Sequence, residues 1–194
     1  MSLSLASTTA AVARLLDACE PLEPLRLCLS SQDVQAEVCG TEPAASASLA
    51  QLAEATGADL YTSPYGGTSS LTADLGASLV LVAAVAPPVD GGGTAGRETS
   101  TRATADLLRS LTPWAHGLNH ELLPEAELWV EDHGGAFTVR LLTTVGSSSA
   151  LESVAAAAGD GLDRLRTWRT DSGVDGVGHL PCGRPVQLGV VFLS

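Results

Sequence analysis

The sequence predicts an α+β protein in which a unit ordered α-β-β-α-β-β-β occurs twice, giving a pseudo-two-fold arrangement of antiparallel sheet packed by helices. Three observations predict it. Leu25-Arg26-Leu27-Cys28-Leu29 and Val34-Gln35-Ala36-Glu37-Val38 alternate apolar and polar residues across a short polar turn. Leu128-Trp129-Val130-Glu131 and Phe137-Thr138-Val139-Arg140-Leu141 do so again across Asp132 to Gly135, with the period of two that marks half-buried strands. Each hairpin follows a helix-like stretch and precedes an Ala/Leu-rich one, and each half closes on β-type segments, Leu75 to Val82 and Cys182 to Val191. This internal duplication divides the chain into a first repeat at 1–88, a Gly/Pro-rich linker at 89–99 and a second repeat at 100–194.

The elements follow in order. Thr8 or Thr9 caps a first helix in which Val12, Leu15, Leu16 and Cys19 recur at helical spacing, and Pro21 and Pro24 end it. In the first hairpin Leu29 faces either Val34 or Ala36, and the Val34 register places Arg26 opposite Glu37, a cross-strand ion pair on the wet face. Pro43 opens a helix with Leu49, Leu52, Ala53 and Leu60 on one side, weakened by Gly57 near its end. Leu60 to Thr62 and Ser70 to Ala73 read as strands around Pro64-Tyr65-Gly66-Gly67. Val80 to Val85 reads as a central strand, being apolar on both faces. Pro87 to Ser100, with its Gly91-Gly92-Gly93 run, reads as a linker.

In the second half, a helix through Leu107, Leu108 and Leu111 stops at Thr112-Pro113. That pair caps and opens a second helix carrying Trp114, Leu118 and Leu122. A two-residue His133-Gly134 turn places Val130 opposite Phe137 and Glu127 opposite Arg140. Ser147 to Ser149 cap a helix running through Leu151 to Leu165. The chain then closes on Arg166–Thr170, Val177–Leu180 and Gln187–Leu193, the last an apolar strand tied into the sheet.

At 194 residues and 45% hydrophobic content, with a mean hydropathy of +0.22, the chain has enough apolar surface for a real core. Lysine and isoleucine are absent and Asn119 is the only asparagine, a GC-rich bacterial bias with Ala, Gly, Leu, Val and Arg in their places. Net charge is −12, from ten Arg against twenty-two acids. That balance offers no basic face for a phosphate backbone or an anionic membrane, and its natural complement is a protein partner with a basic surface. Acidity also serves simply to keep an Ala-rich chain in solution. The N-terminus has no secretory pattern, and the Leu79–Val85 run is far shorter than the ~20 residues of a membrane span. A cytoplasmic protein with reduced Cys19, Cys28, Cys39 and Cys182 is expected.

His116 and His120 are the sharpest chemical candidates. At i, i+4 on a helix, two imidazoles share a face and can chelate a divalent metal, with His179, Cys182, Glu121 or Asp132 as a third ligand. The zincin pattern needs Glu directly after the first His, and Gly117 stands there. His179 and Cys182 lie three residues apart, near Asp171 and Asp175; a Cys–His nucleophile pair would need them within hydrogen-bond reach, and without a supporting motif they read as a turn cysteine beside an exposed histidine. Gly91 to Arg97 lacks the Lys of a phosphate-binding loop, and no GxSxG elbow occurs. No catalytic residue and no cofactor is therefore assigned. Glu127 and Glu131 share one face of a strand with Trp129 between them, a solvated outer face or an interface for a sugar or basic peptide.

The α-β-β-α-β-β-β order resembles acidic secretion-chaperone-like folds, which implies an adaptor, chaperone-like, immunity or regulatory protein. The paired β-α-β-β-β modules resemble those of the vicinal-oxygen-chelate group, which includes glyoxalases and drug-sequestering resistance proteins. That resemblance implies a small-molecule or metal-binding protein, or an enzyme. Duplicated sheet-and-helix units also resemble sliding clamps; here the helices carry Asp, Glu and Ala, so a DNA mimic fits the charge better. The first reading, a non-catalytic acidic binding module that acts through a sheet surface or the inter-repeat seam and can pair as a homodimer, is the one adopted.

Overall fold

A computed structural model describes residues 4–63, 69–76, 79–87, 97–119, 121–123, 125–133 and 136–192. Helix α1 (Leu5–Ala18) is followed by strands β1 (Leu25–Leu29) and β2 (Asp33–Cys39), helix α2 (Glu42–Thr56), and strands β3 (Leu60–Thr62), β4 (Ser69–Asp74) and β5 (Val80–Ala86). Helix α3 (Arg97–Gly117) leads to β6 (Glu127–Asp132) and β7 (Phe137–Val145), then a 3-10 turn at Ser148–Ala150, helix α4 (Leu151–Ala158), and β8 (Asp163–Thr170), β9 (Gly173–His179) and β10 (Pro185–Phe192). The order α-β-β-α-β-β-β is thus read from α1 to β5 and again from α3 to β10.

The ten strands of the described residues form one sheet in the order β3-β4-β5-β2-β1-β6-β7-β10-β9-β8. β1 and β6 join the halves in antiparallel register, with Cys28 opposite Trp129 and Arg26 opposite Glu131. The sheet is mixed rather than antiparallel throughout, because β5 returns parallel to β2 and β10 parallel to β7. Parallel neighbours require a long crossover, which α2 with β3–β4 and α4 with β8–β9 provide. Leu25, Leu27 and Leu29 of β1, Val34, Ala36 and Val38 of β2, and Leu128 and Val130 of β6 are all buried. These are alternate positions, so one face of the sheet lies under the helices while the other carries the intervening polar side chains.

α1 packs along α3 across the junction between the halves. The cap of α1 is Ser4, whose Oγ accepts from the Ser7 amide at 3.2 Å. Thr8 and Thr9, expected as caps, are fully buried inside the helix instead. Thr8 Oγ1 donates to the Ser30 carbonyl at 2.8 Å and Thr9 Oγ1 lies 3.1 Å from Thr112 Oγ1, so tertiary partners hold the hydroxyls that capping would have used. α2 begins after Thr41 with Pro43 in its first turn and ends at Gly57, whose φ of 67° suits glycine.

Pro113 does not divide α3. The proline lies inside a continuous helix, and the buried stripe of Leu107, Leu108, Leu111, Trp114, Ala115 and Leu118 runs past it. Burial of that stripe outweighs the lost amide bond and the ring clash, which together cost about 3 kcal/mol. Trp114 Nε1 also donates to the Asp160 carbonyl at 3.0 Å, anchoring the segment after the proline. α4 stops at Ala158, well short of Leu165, because Gly159 and the turn to Gly161 hand the chain to β8. β5 has strand neighbours on both sides but is covered on one face only, leaving Val80 and Val82 exposed. Among the described residues no helix is long and apolar enough to cross a membrane.

Candidate functional site

The helix-free face of the sheet at the β1–β6 junction gathers the most chemically varied side chains. In the first hairpin Leu29 faces Val34 and Arg26 faces Glu37, one of the two registers that the alternation allows. Arg26 Nη1 donates to Glu37 Oε2 at 2.6 Å, and its Nε lies 3.2 Å from Glu131 Oε1 on the next strand, close but not aligned for a hydrogen bond. The hydrogen bond to Glu37 chiefly raises the guanidinium pKa above its ordinary value, so this cation is permanent. Glu131 Oε2 is 3.5 Å from His133 Nε2, which lies 3.3 Å from Thr138 Oγ1. A charged row therefore crosses four strands, from Glu37 to Thr138.

Two residues along, a second row runs through Val82, Gln35, Cys28, Trp129, Arg140 and Gln187. Glu127, Trp129 and Glu131 share this face, as their spacing predicts, and Trp129 Nε1 donates to Glu127 Oε2 at 3.1 Å. Trp129 is half-buried, opposite Cys28 and Arg140 on the adjoining strands. The cross-strand partner of Arg140 is Trp129, not Glu127, which faces Leu142. Four residues separate β6 from β7 rather than two, and the His133 amide donates to the Ala136 carbonyl at 2.8 Å. This shifts the register by two residues and preserves the faces. On β10, Gly189 leaves room for the Leu142 side chain, which lies 2.7 Å from where a Cβ would stand.

Cys28 is not a nucleophile in this setting. Burial first, then the charges of Glu127 and Asp33, push its thiol up to about 12, so it stays protonated at neutral pH. Burial likewise raises the thiols of Cys19 and Cys39, and all four cysteines are free. Beside the junction, Ser30–Asp33, Glu125, Glu127, Leu142, Thr144 and Val191 border an open cleft of about 570 Å³.

The remaining candidates are dispersed. His116 is exposed on the last turn of α3, in a shallow groove between α1 and α3 beside Arg14 and Pro113. His120 lies outside the described residues. Asp132 is buried on the inner face, with Thr104 Oγ1 at 3.5 Å from its Oδ2, and Glu121 is exposed. Among the described residues, no three His, Cys, Asp or Glu converge as a metal site. His179 ends β9 while Cys182 is exposed in the turn beyond, and no hydrogen bond joins them. Sequence reasoning missed Arg140 and Cys28 as the neighbours of Trp129. It also missed Trp168, 50% exposed on β8; the alternation of Arg164, Arg166 and Trp168 was the available signal.

No protein-family model matches the chain, and a comparison with curated proteins gives no match. Among solved structures, a 2,2',3-trihydroxybiphenyl 1,2-dioxygenase from dibenzofuran-degrading Sphingomonas wittichii strain RW1 aligns over 96% of this chain and 86% of its own. The identity is 12% and the TM-score 0.25, values that carry no inference about activity.

Proposed function

We propose that the protein is a non-catalytic binding module whose helix-free sheet face receives a protein partner at the β1–β6 junction. The observation that carries the reading is Trp129, half-buried on that face between the carboxylates of Glu127 and Glu131, with Val82 exposed on the same row. An aromatic surrounded by hydrogen-bonding groups is the usual composition of an interface hot spot. The net charge of −12 favours a partner presenting basic residues to Glu127, Glu131 and Glu37, with association rates that fall as salt rises. A small-molecule ligand would instead occupy the cleft beside Glu125 and Glu127, where Asp33 and Thr144 offer further polar groups.

Affinity capture from native extract distinguishes the two. The tagged protein, its Trp129→Ala and Val82→Asp variants, and an Arg14→Ala control on the helical side are compared at low and high salt. The expected result is a stoichiometric partner held by the parent and the control, weakened by salt and lost from both face variants. Capture of the same proteins by all four, or of none, would overturn the reading and direct attention to the cleft.

A further inference from the structure

The two ends of the sheet differ. β3 is three residues long, whereas β8 runs for eight, from Asp163 to Thr170, and among the described residues has β9 as its only strand neighbour. A long terminal strand presents unpaired backbone donors and acceptors, and proteins commonly protect it with charge. β8 carries three arginines against a single acid, in a chain of net charge −12. Arg169 is held by Glu152 at 2.8 Å on the helical side, whereas among the described residues Arg164 and Arg166 have no ion-pair partner. Leu165 points to the helical side, where it fills the space beside Gly159. Arg166 and Trp168 therefore share the helix-free face, opposite Val177 and Asp175 of β9.

Protection by charge does not account for two further features. Trp168 stands half-exposed two residues from Arg166. Arg164 adopts a φ of 53°, at a bulge that interrupts the β8–β9 register between Asp163 and Arg166. A non-glycine residue in that region costs about 1–2 kcal/mol, and such strain gathers where a strand is re-aimed for use.

We propose that the free edge of β8 binds an extended acidic segment of a partner protein by strand addition. Main-chain hydrogen bonds supply the ladder, Arg166 and Arg164 take carboxylates, and Trp168 takes an apolar or aromatic side chain. Because Arg166 and Trp168 lie two apart on one face, the segment carries Asp or Glu two residues from its apolar anchor. A second copy of this strand is a poor occupant, since β8 paired with β8 would bring six arginines and only two aspartates to one ladder. This site lies four strands from Trp129 and stands independently of the function proposed above.

The test is selection from a displayed library of random decapeptides on the full-length protein. The strongest peptide is then synthesised and its binding followed by fluorescence anisotropy. Selected sequences should carry an acid two positions from an apolar residue. Binding should weaken at least tenfold in Arg166→Glu and in Trp168→Ala, disappear when alternate peptide amides are N-methylated, and be unchanged in Trp129→Ala. Both edge residues are exposed, and matching circular dichroism melts verify that the variants fold. Three results would overturn the proposal: no acidic enrichment or no effect of the edge variants; equal binding and competition by single-stranded DNA of the same charge; or a parent dimer in sedimentation that dissociates in Trp168→Ala.

Discussion

Gly173 provides the sharpest test of how tightly the second half is assembled. A methyl group built on it falls deep within contact distance of the Val190 carbonyl oxygen, with that carbonyl carbon at 3.0 Å and Val191 Cα at 3.2 Å. All three are backbone atoms, so no side-chain rotation relieves the clash. β10 is held between β7 and β9, with Val190 opposite Thr143 on one side and Val174 on the other. The cheaper response is to part the start of β9 from the end of β10, losing the pairing around Gly173 and Val191 and the bond from the Phe192 amide to the Ser172 carbonyl. Two or three backbone hydrogen bonds at about 0.5–1.5 kcal/mol each, with loosened packing at buried Val174, place Gly173→Ala about 2–4 kcal/mol below the parent. For a chain of this length that lowers the melting temperature by roughly 5–15 °C. Urea unfolding followed by circular dichroism measures it, with a lower midpoint and an unchanged slope expected. Gly117→Ala is the internal control: nothing lies within 4 Å of its Cβ, its φ is not positive, and it ends α3, so a gain of about 0.5–1 kcal/mol is expected. Loss of less than about 0.5 kcal/mol in Gly173→Ala would refute the reasoning.

Two other outcomes concern the junction. At pH 8 a thiol reagent should modify exposed Cys182 quickly and Cys28 only on unfolding. Because the folded thiol of Cys28 titrates near 12 and the unfolded one near 9.0, stability is unaffected below pH 9 and declines from there towards 12; Cys28→Ala should flatten that decline in urea titrations across the range. Arg26→Leu removes the cation between Glu37 and Glu131 and should cost about 1 kcal/mol or less at low salt. The loss should shrink in high salt, and an undiminished loss would assign the effect to packing of the Arg26 stem.

What was legible in the chain was local periodicity. Leu25, Leu27 and Leu29 alternate with Arg26 and Cys28, and that pattern settles the buried face but leaves two registers, of which the structure takes the one that pairs Arg26 with Glu37. The same logic correctly put Glu127, Trp129 and Glu131 on one face. It failed where distant residues decide. The packing of Leu111, Trp114 and Leu118 carries α3 through Pro113 against a strong local stop signal. Thr8 and Thr9 find partners in Ser30 and Thr112, so a short-range capping rule named the wrong residue. The β6–β7 register, two residues away from the expected one, was hidden because either register keeps the same faces. No periodicity within β6 reveals that Cys28 lies beside Trp129, nor does the polar reading of β8 show that it ends the sheet.

The β1–β6 junction also shapes how the protein can be made. About 100 residues separate the paired positions Leu29 and Leu128, and at ribosomal rates of about 5–20 residues per second the first partner waits roughly 5–20 s for the second. Throughout that interval Leu25–Leu29 of a nascent chain has β2 beside it but an open edge on its other side. The strand at the centre of the finished sheet is therefore, during synthesis, its most vulnerable border. Slowing translation between residues 40 and 125 should increase aggregation, and holding a chaperone at the ribosome should suppress it.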